Sequence, residues 1–152
     1  MKKTIKIIMY TTIRDPCFGR CSSAGYCALL EYKNKTKYIT GGEKNTTRVA
    51  FEIRALTEVL KTLNQPCFIQ FFTMSKSLCE QIKFLNYNHK NGYKRKDGEE
   101  LKNKEFLMQL YEVYKPHTIK VNLVGTLITE KNGERCMMKG NMAADLFLHK
   151  DE

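Results

Sequence analysis

The segment FFTMSKS (71–77) closes an apolar run, CFIQFF, and opens a helix-like one, SKSLCEQIKFL. In an open α/β sheet, ligands and catalytic groups gather beyond the carboxyl ends of the strands, at handovers of this kind. The residue placed there is Met74, a neutral thioether that can neither carry a proton nor grip a hard cation. Six cysteines offer another chemistry, because Cys17, Cys21 and Cys27 are spaced as three thiolates of a zinc site. Structural zinc takes four well-placed ligands. No CxxC pair or HxxxH partner completes the set, and His89, His117 and His149 are scattered. Reduced thiols acting as small hydrophobes are the expectation, with no metal cofactor. The densest cationic stretch gathers Lys90, Lys94, Arg95 and Lys96 around Gly92 and Tyr93. Ammonium and guanidinium groups suit phosphate, and an aromatic ring suits a sugar or base. The competing reading is a solvated loop, since Asp97, Glu99 and Glu100 follow at once.

The overall charge favours a polyanionic partner. Lys and Arg number 26 against 16 Asp and Glu, for a net +10. Residues 1–50 hold 10 basic and 3 acidic groups and residues 89–104 hold 6 and 3, while the stretch from 105 onward is near balance at 6 and 7. A one-sided basic surface matches nucleic acid. At 152 residues the chain is read as one domain, 1–152, with enough length to bury a core. The apolar run IKIIMY is short and broken by lysine, so neither a signal peptide nor a membrane span is expected. The expectation is a soluble, cytoplasmic protein with no membrane partner.

These groups must be held by regular elements, and hydrophobic periodicity supplies them. Ile5, Ile7 and Met9 alternate along TIKIIMY (4–10), a strand pattern, and strands are expected again at 26–32 and 37–40 with NK as the turn between them. The link TTIRDPCFGRCSSAG (11–25), with its Pro and Gly, reads as a loop. From 47 to 63 the period changes: Phe51, Ala55, Val59 and Leu63 share one face of a helix. Residues 67–73 read as an apolar strand buried on both faces. Ser75 can cap the next helix, which carries Leu78, Ile82 and Leu85 along its inner side. Phe106 to Tyr114 is a helix stopped by Pro116, Ile119, Val121 and Leu123 alternate in a strand, and a last helix spans Glu134 to Leu148. Hairpins followed by strand–helix alternation predict a mixed five-stranded sheet flanked by helices.

This order, and six motifs along it, resemble the type 1 ribonuclease H family. GYCALLEY (25–32) is similar to the family's GYGAILRY, and KNTTRVAFEIRALTEVLKTL (44–63) to its TTNNRMEL helix. KNGYK (90–94) with LKNKEFLMQL (101–110) resembles the basic substrate-binding protrusion and the helix after it; IKVNLVG (119–125) and NGERC (132–136) resemble the last strand and the start of the closing helix. The resemblance implies a ribonuclease H-like fold. It also implies four carboxylates that hold two Mg²⁺ ions, which clamp attacking water and leaving oxygen at an RNA phosphate. Carried over position by position, Glu52 is retained, while Thr12, Met74 and Met137 stand where the three Asp residues belong.

Magnesium demands oxygen ligands, so the resemblance implies a degenerate site that takes Mg²⁺ or Mn²⁺ only if it is repaired. Asp15, Glu80 and Asp145 are the carboxylates nearest in sequence to the lost positions. Thr47 matches a Thr that helps cradle a phosphate, and Ser75 a Ser beside a lost Asp. Arg48 and Val49 replace a minor-groove Asn pair, Asn45 an Arg that helps hold phosphate, and the loop GTLITEKNG (125–133) lacks the catalytic His. Three readings follow. One is a non-catalytic protein holding RNA/DNA hybrid or duplex through Thr47, Arg48, Ser75, Lys90, Tyr93, Lys94, Arg95 and Lys96. Another is a scaffold with a protein partner, like the inactive connection domain of reverse transcriptases, using a groove of Met74, Met137, Met138 and Met142. The third is a hybrid nuclease with a rearranged site. Ordinary core filling is the bland alternative for the methionines on the last helix.

Overall fold

Ile5, Ile7 and Met9 alternate with Lys6 and Ile8 along the first strand, and that alternation sends the two sets to opposite faces of a sheet with a separate cluster on each. The computed structural model describes residues 2–16 and 20–148. In chain order the elements are β1 (Lys3–Arg14), β2 (Cys21–Tyr32), β3 (Lys35–Thr46), α1 (Arg48–Lys61), β4 (Cys67–Thr73), α2 (Lys76–Lys90), α3 (Lys104–Tyr114), β5 (Thr118–Leu123) and α4 (Gly133–Leu148). The sheet order is β3-β2-β1-β4-β5. β1–β2 and β2–β3 are antiparallel, whereas β1–β4 and β4–β5 are parallel. Parallel neighbours need crossover connections, and α1 supplies one while α2 and α3 supply the other. This is the mixed sheet read from the sequence.

The larger core joins Ile5, Ile7, Met9, Tyr26 and Ala28 to Phe51, Leu56 and Leu60 of α1 and to Leu78, Leu85 and Leu110 of α2 and α3. The smaller one, on the other face, joins Ile8, Cys27 and Leu29 to Leu127 and Cys136. α4 lies over β1, β2 and β3 on that face. It comes very close: a Cβ on Gly25 would fall 2.3 Å from the Ala144 amide nitrogen and 2.4 Å from the Gly140 carbonyl oxygen. Only glycine fits at 25.

Three expectations are corrected. Most of 11–25 is strand, because β1 continues to Arg14 and β2 begins at Cys21, with Thr11 opposite Tyr26 and Arg14 opposite Ser23. Ladder pairing carries these polar ends, which hydrophobicity does not mark. β3 likewise outruns the expected 37–40 and extends to Thr46 through Gly41 and Gly42. A Cβ on Gly41 would meet the Tyr26 ring at 2.7 Å, so packing rather than a turn demands that glycine. β4 is fully buried on one face only, since on the other Phe68 is 46% exposed, Gln70 is exposed and Phe72 is half-buried against the smaller core. Among the described residues no helix is long and apolar enough to cross a membrane.

Candidate functional site

α1 starts where Thr47, in an extended conformation, accepts a hydrogen bond from the Ala50 amide at 3.2 Å. One turn further in, Glu52 faces the sheet and is fully buried. Its Oε2 accepts a 2.6 Å hydrogen bond from the Thr11 hydroxyl of β1. The Arg48 guanidinium, one helical turn before it, lies 3.5 Å from the same oxygen, while Oε1 has no protein partner. Glu52 is thus where the sequence placed it, but its strand partner is Thr11, not Thr12. Thr12 pairs with Gly25 and shares that residue's α4-facing side, whereas Thr11 pairs with Tyr26, whose ring lies near Phe51 of α1. The signal was present: Ile5, Ile7 and Met9 already define the α1-facing parity, and Thr11 continues it.

The other positions carry no acid. Met74 follows β4 and is 37% exposed. Met137 packs against the α4-face core, behind Cys136. Met138 and Met142 are 58% and 63% exposed, so core filling does not describe them. None of the three candidate replacements, Asp15, Glu80 and Asp145, completes a group of three possible metal ligands with Glu52 among the described residues, and Glu80 is exposed on α2. Asp145 pairs with Arg14 at 3.2 Å, and Asp15, with φ of 51°, sits exposed just past β1. Among the described residues no cluster of three acids, cysteines or histidines could hold a metal. One buried carboxylate with a free oxygen, already facing a guanidinium, does not fit a pair of divalent cations.

Among the described residues the cysteines do not gather into a metal-holding group. Cys17 and His149 lie outside the described residues. Cys21 and Cys27 belong to the cores on opposite faces of the sheet. The five described thiols are free and buried. Cys136 donates to the Cys27 carbonyl at 3.2 Å, and the hydrogen bond between the two thiols together with burial pushes the Cys27 thiol up.

The basic loop is built around Tyr93, and here an expectation fails. With φ of 61°, Tyr93 turns inward and is only 6% exposed; its hydroxyl lies 3.2 Å from His89 Nδ1. It staples the loop to the core and offers no face to a base. His89 in turn stacks on Tyr111 of α3 at 3.7 Å between centroids. Beyond Tyr93 a tight turn forms, with Arg95 N–H donating to the Glu99 carbonyl at 2.7 Å and Gly98 N–H to the Arg95 carbonyl at 3.0 Å. Arg95 pairs with Asp97 at 3.2 Å and Lys104 with Glu100 at 2.8 Å, and among the described residues Lys90, Lys94 and Lys96 form no salt bridge. Ser75 is the N-cap of α2, accepting from the Leu78 amide at 3.1 Å.

Between the start of α1, α2 and this loop opens a cleft of about 490 Å³, lined among others by Thr47, Arg48, Gln81, Asn88, Arg95 and Lys102. Three cations, Arg48 of α1 and Arg95 and Lys102 of the loop, therefore face one space. Lys102, Gln81 and Asn88 were not singled out from the sequence; no local pattern distinguishes them, because only the fold brings them opposite α1.

The RNase H family model matches residues 6–151. The chain belongs to the RNase H family. Among curated family members, Ribonuclease H of Helicobacter acinonychis is 38% identical over 122 residues, covering 78% of this chain and 80% of its own. Ribonuclease H of Caldicellulosiruptor saccharolyticus is 31% identical over 133 residues, covering 86% and 90%. Among solved structures, LC9-RNase H1, a type 1 RNase H with the type 2 active-site motif, superposes with a TM-score of 0.78 at 15% identity, covering 95% of this chain and 74% of that one. A foamy viral protease-reverse transcriptase in complex with RNA/DNA hybrid matches with a TM-score of 0.66 at 12% identity, over 94% of this chain and 20% of that one. The five-stranded sheet and its helices are those of the RNase H-like fold.

Proposed function

We propose that this RNase H family member grips the sugar-phosphate backbone of a nucleic acid, an RNA/DNA hybrid or another duplex, in the cleft between α1 and the basic loop, and does not hydrolyse it. The observation that carries the reading is the convergence of Arg48, Arg95 and Lys102 on that cleft beside the Thr47 hydroxyl. The Thr47 oxygen already accepts from Ala50, which leaves its hydrogen free to donate to a phosphate oxygen. Guanidinium groups match phosphate in two-pronged fashion, while Lys90, Lys94 and Lys96 add further positive charge outside. The foamy viral neighbour that holds a hybrid supports this choice of ligand.

Cleavage in the family's manner needs carboxylates around two metals. Here Glu52 stands with Thr11 and Arg48, and the strand-end position holds Met74. Relatives bearing the name Ribonuclease H make this a departure within the family, which is what the experiment must decide. Fluorescence anisotropy of a labelled RNA/DNA hybrid at two salt concentrations, run beside a gel assay for cleavage with Mg²⁺ or Mn²⁺, tests both halves. Salt-sensitive binding without products supports the proposal. Products that vanish in Glu52→Gln would overturn the non-catalytic half, and no binding at low salt would overturn the other.

A second reading has its own observation. Met138, Met142 and Leu146, at i, i+4 and i+8 on α4, are 58%, 63% and 71% exposed. Such an apolar stripe suits a protein partner. It would become the leading reading if hybrid binding were absent.

A further inference from the structure

A fully buried carboxylate is costly unless something compensates its charge, and losing its neighbouring acids does not remove that cost. Two side chains meet Glu52. Thr11 Oγ1 donates to Oε2 at 2.6 Å, and Arg48 Nη1 stands 3.5 Å from the same oxygen across one turn of α1. The Arg48 side chain is 40% exposed and lines the cleft that also holds Arg95 and Lys102. It therefore spans from the buried acid to the cleft wall. A guanidinium has five N–H donors in a rigid fork, so contact with one carboxylate oxygen leaves others free to face outward.

We infer that Arg48 and Thr11 have taken over the place of divalent cations around Glu52, so that the centre is an internal ion pair needing no metal, and that Glu52 now acts as a positioning residue aiming Arg48 into the cleft. A helix-borne pair at i and i+4 is well placed for this, because the backbone fixes the separation. The positively charged partner of Glu52 is then part of the chain, and the same partner presents its remaining donors to an anion. The metal half of this inference stands on its own. The aiming half rests on the reading of the cleft as a phosphate site.

The test separates the two. Calorimetric titration of the protein alone with MnCl₂, and thermal unfolding with and without MgCl₂, should show no binding heat and no shift in Tm. Manganese binding or a metal-dependent rise in Tm that Glu52→Gln abolishes would overturn the replacement of metal. Aiming is tested by a double-mutant cycle on hybrid affinity with Arg48→Ala and Glu52→Gln, each variant checked by circular dichroism. Glu52→Gln removes a negative charge beside a polyanion site, so charge alone would tighten binding. Aiming predicts weakening by about threefold or more, and no further loss once Arg48 is Ala. Tighter binding by Glu52→Gln, or an equal effect in both backgrounds, would overturn it. Arg48→Lys, which keeps the charge but loses the fork, should weaken binding as well; full affinity there would overturn the forked contact. If the hybrid does not bind the unmodified protein, the cleft reading and the aiming half fail together, while the metal titration still decides the rest.

Discussion

Glu52 and the loop from Lys90 to Lys104 treat charge in opposite ways. Around Glu52, one carboxylate, one hydroxyl and one guanidinium meet where the acid has no solvent exposure. Along the loop, Arg95 pairs locally with Asp97 and Lys104 with Glu100, while Lys90, Lys94 and Lys96 lie at the surface without a salt bridge among the described residues. A buried charge without a partner loses its hydration with nothing in return, and here Thr11 and Arg48 supply the partners. An exposed charge keeps its water, so it can stand alone until a partner arrives. The first region therefore bears on stability, and the second leaves cations at the surface, where the proposed association can use them.

Truncation at the centre gives the largest effect. Glu52→Ala leaves Thr11 without its acceptor and opens a hole against the sheet, and should lower the unfolding free energy in urea by roughly 3 kcal/mol. A change within experimental error would show that the carboxylate is dispensable and erase the contrast. Charge reversal in the cleft, Arg95→Glu with Lys102→Glu, should do the opposite. Hybrid affinity at low salt should drop at least about tenfold, and the slope of log affinity against log salt should flatten by roughly one for each phosphate no longer neutralised. Stability should move by no more than about 0.5 kcal/mol. Equal affinity in the reversed protein would remove the loop from the binding surface.

Tyr93 belongs to both regions, being a loop residue with a core side chain. Tyr93→Phe removes the hydroxyl that meets His89 and should cost about 1 kcal/mol of stability, with a smaller change in affinity than the cleft reversals produce. An affinity drop exceeding theirs would mean that the hydroxyl touches the ligand directly.

The smallest effect is a control far from both regions. His117, at the start of β5, is nearly buried, and its Nδ1 accepts from the Cys67 amide at 3.0 Å. Burial, assisted by Lys2, holds its pKa below the ordinary value. The folded protein then binds fewer protons than the unfolded chain. Stability should be fully present above about pH 6.5 and decline as the pH falls through the lower folded value. Comparing unfolding curves of the protein and His117→Asn across that window checks the sign: a His117 contribution that grows on acidification would contradict it.

Much of the fold was legible in the sequence because each core element repeats its own period. β4 was read to the residue at Cys67–Thr73, and α1 was expected over 47–63 and observed over Arg48–Lys61. Ser75 was read as a cap and is one. The misreadings share a physical cause. Arg14, Ser23 and Lys44 lie in strands because neighbouring backbones pair with them, and no property of those side chains announces a distant ladder. Phe68 looked buried because the apolar run gives no sign of what covers each face of the sheet.

The same division runs through the site. By itself the sequence determined the family, through motifs in order, and that the side chains of Met74 and Met137 bring no oxygen to their positions whatever their geometry. It also determined the cationic excess. Tertiary structure decided which threonine meets Glu52, since the parity of β1 sends Thr11 toward α1 and Thr12 toward α4. It decided that Tyr93 faces inward and that Arg48, Arg95 and Lys102 share a cleft. Residue identity is local and states what a group can do. Proximity is set by the register and packing of segments far apart in the chain, and that is what decides which groups act together.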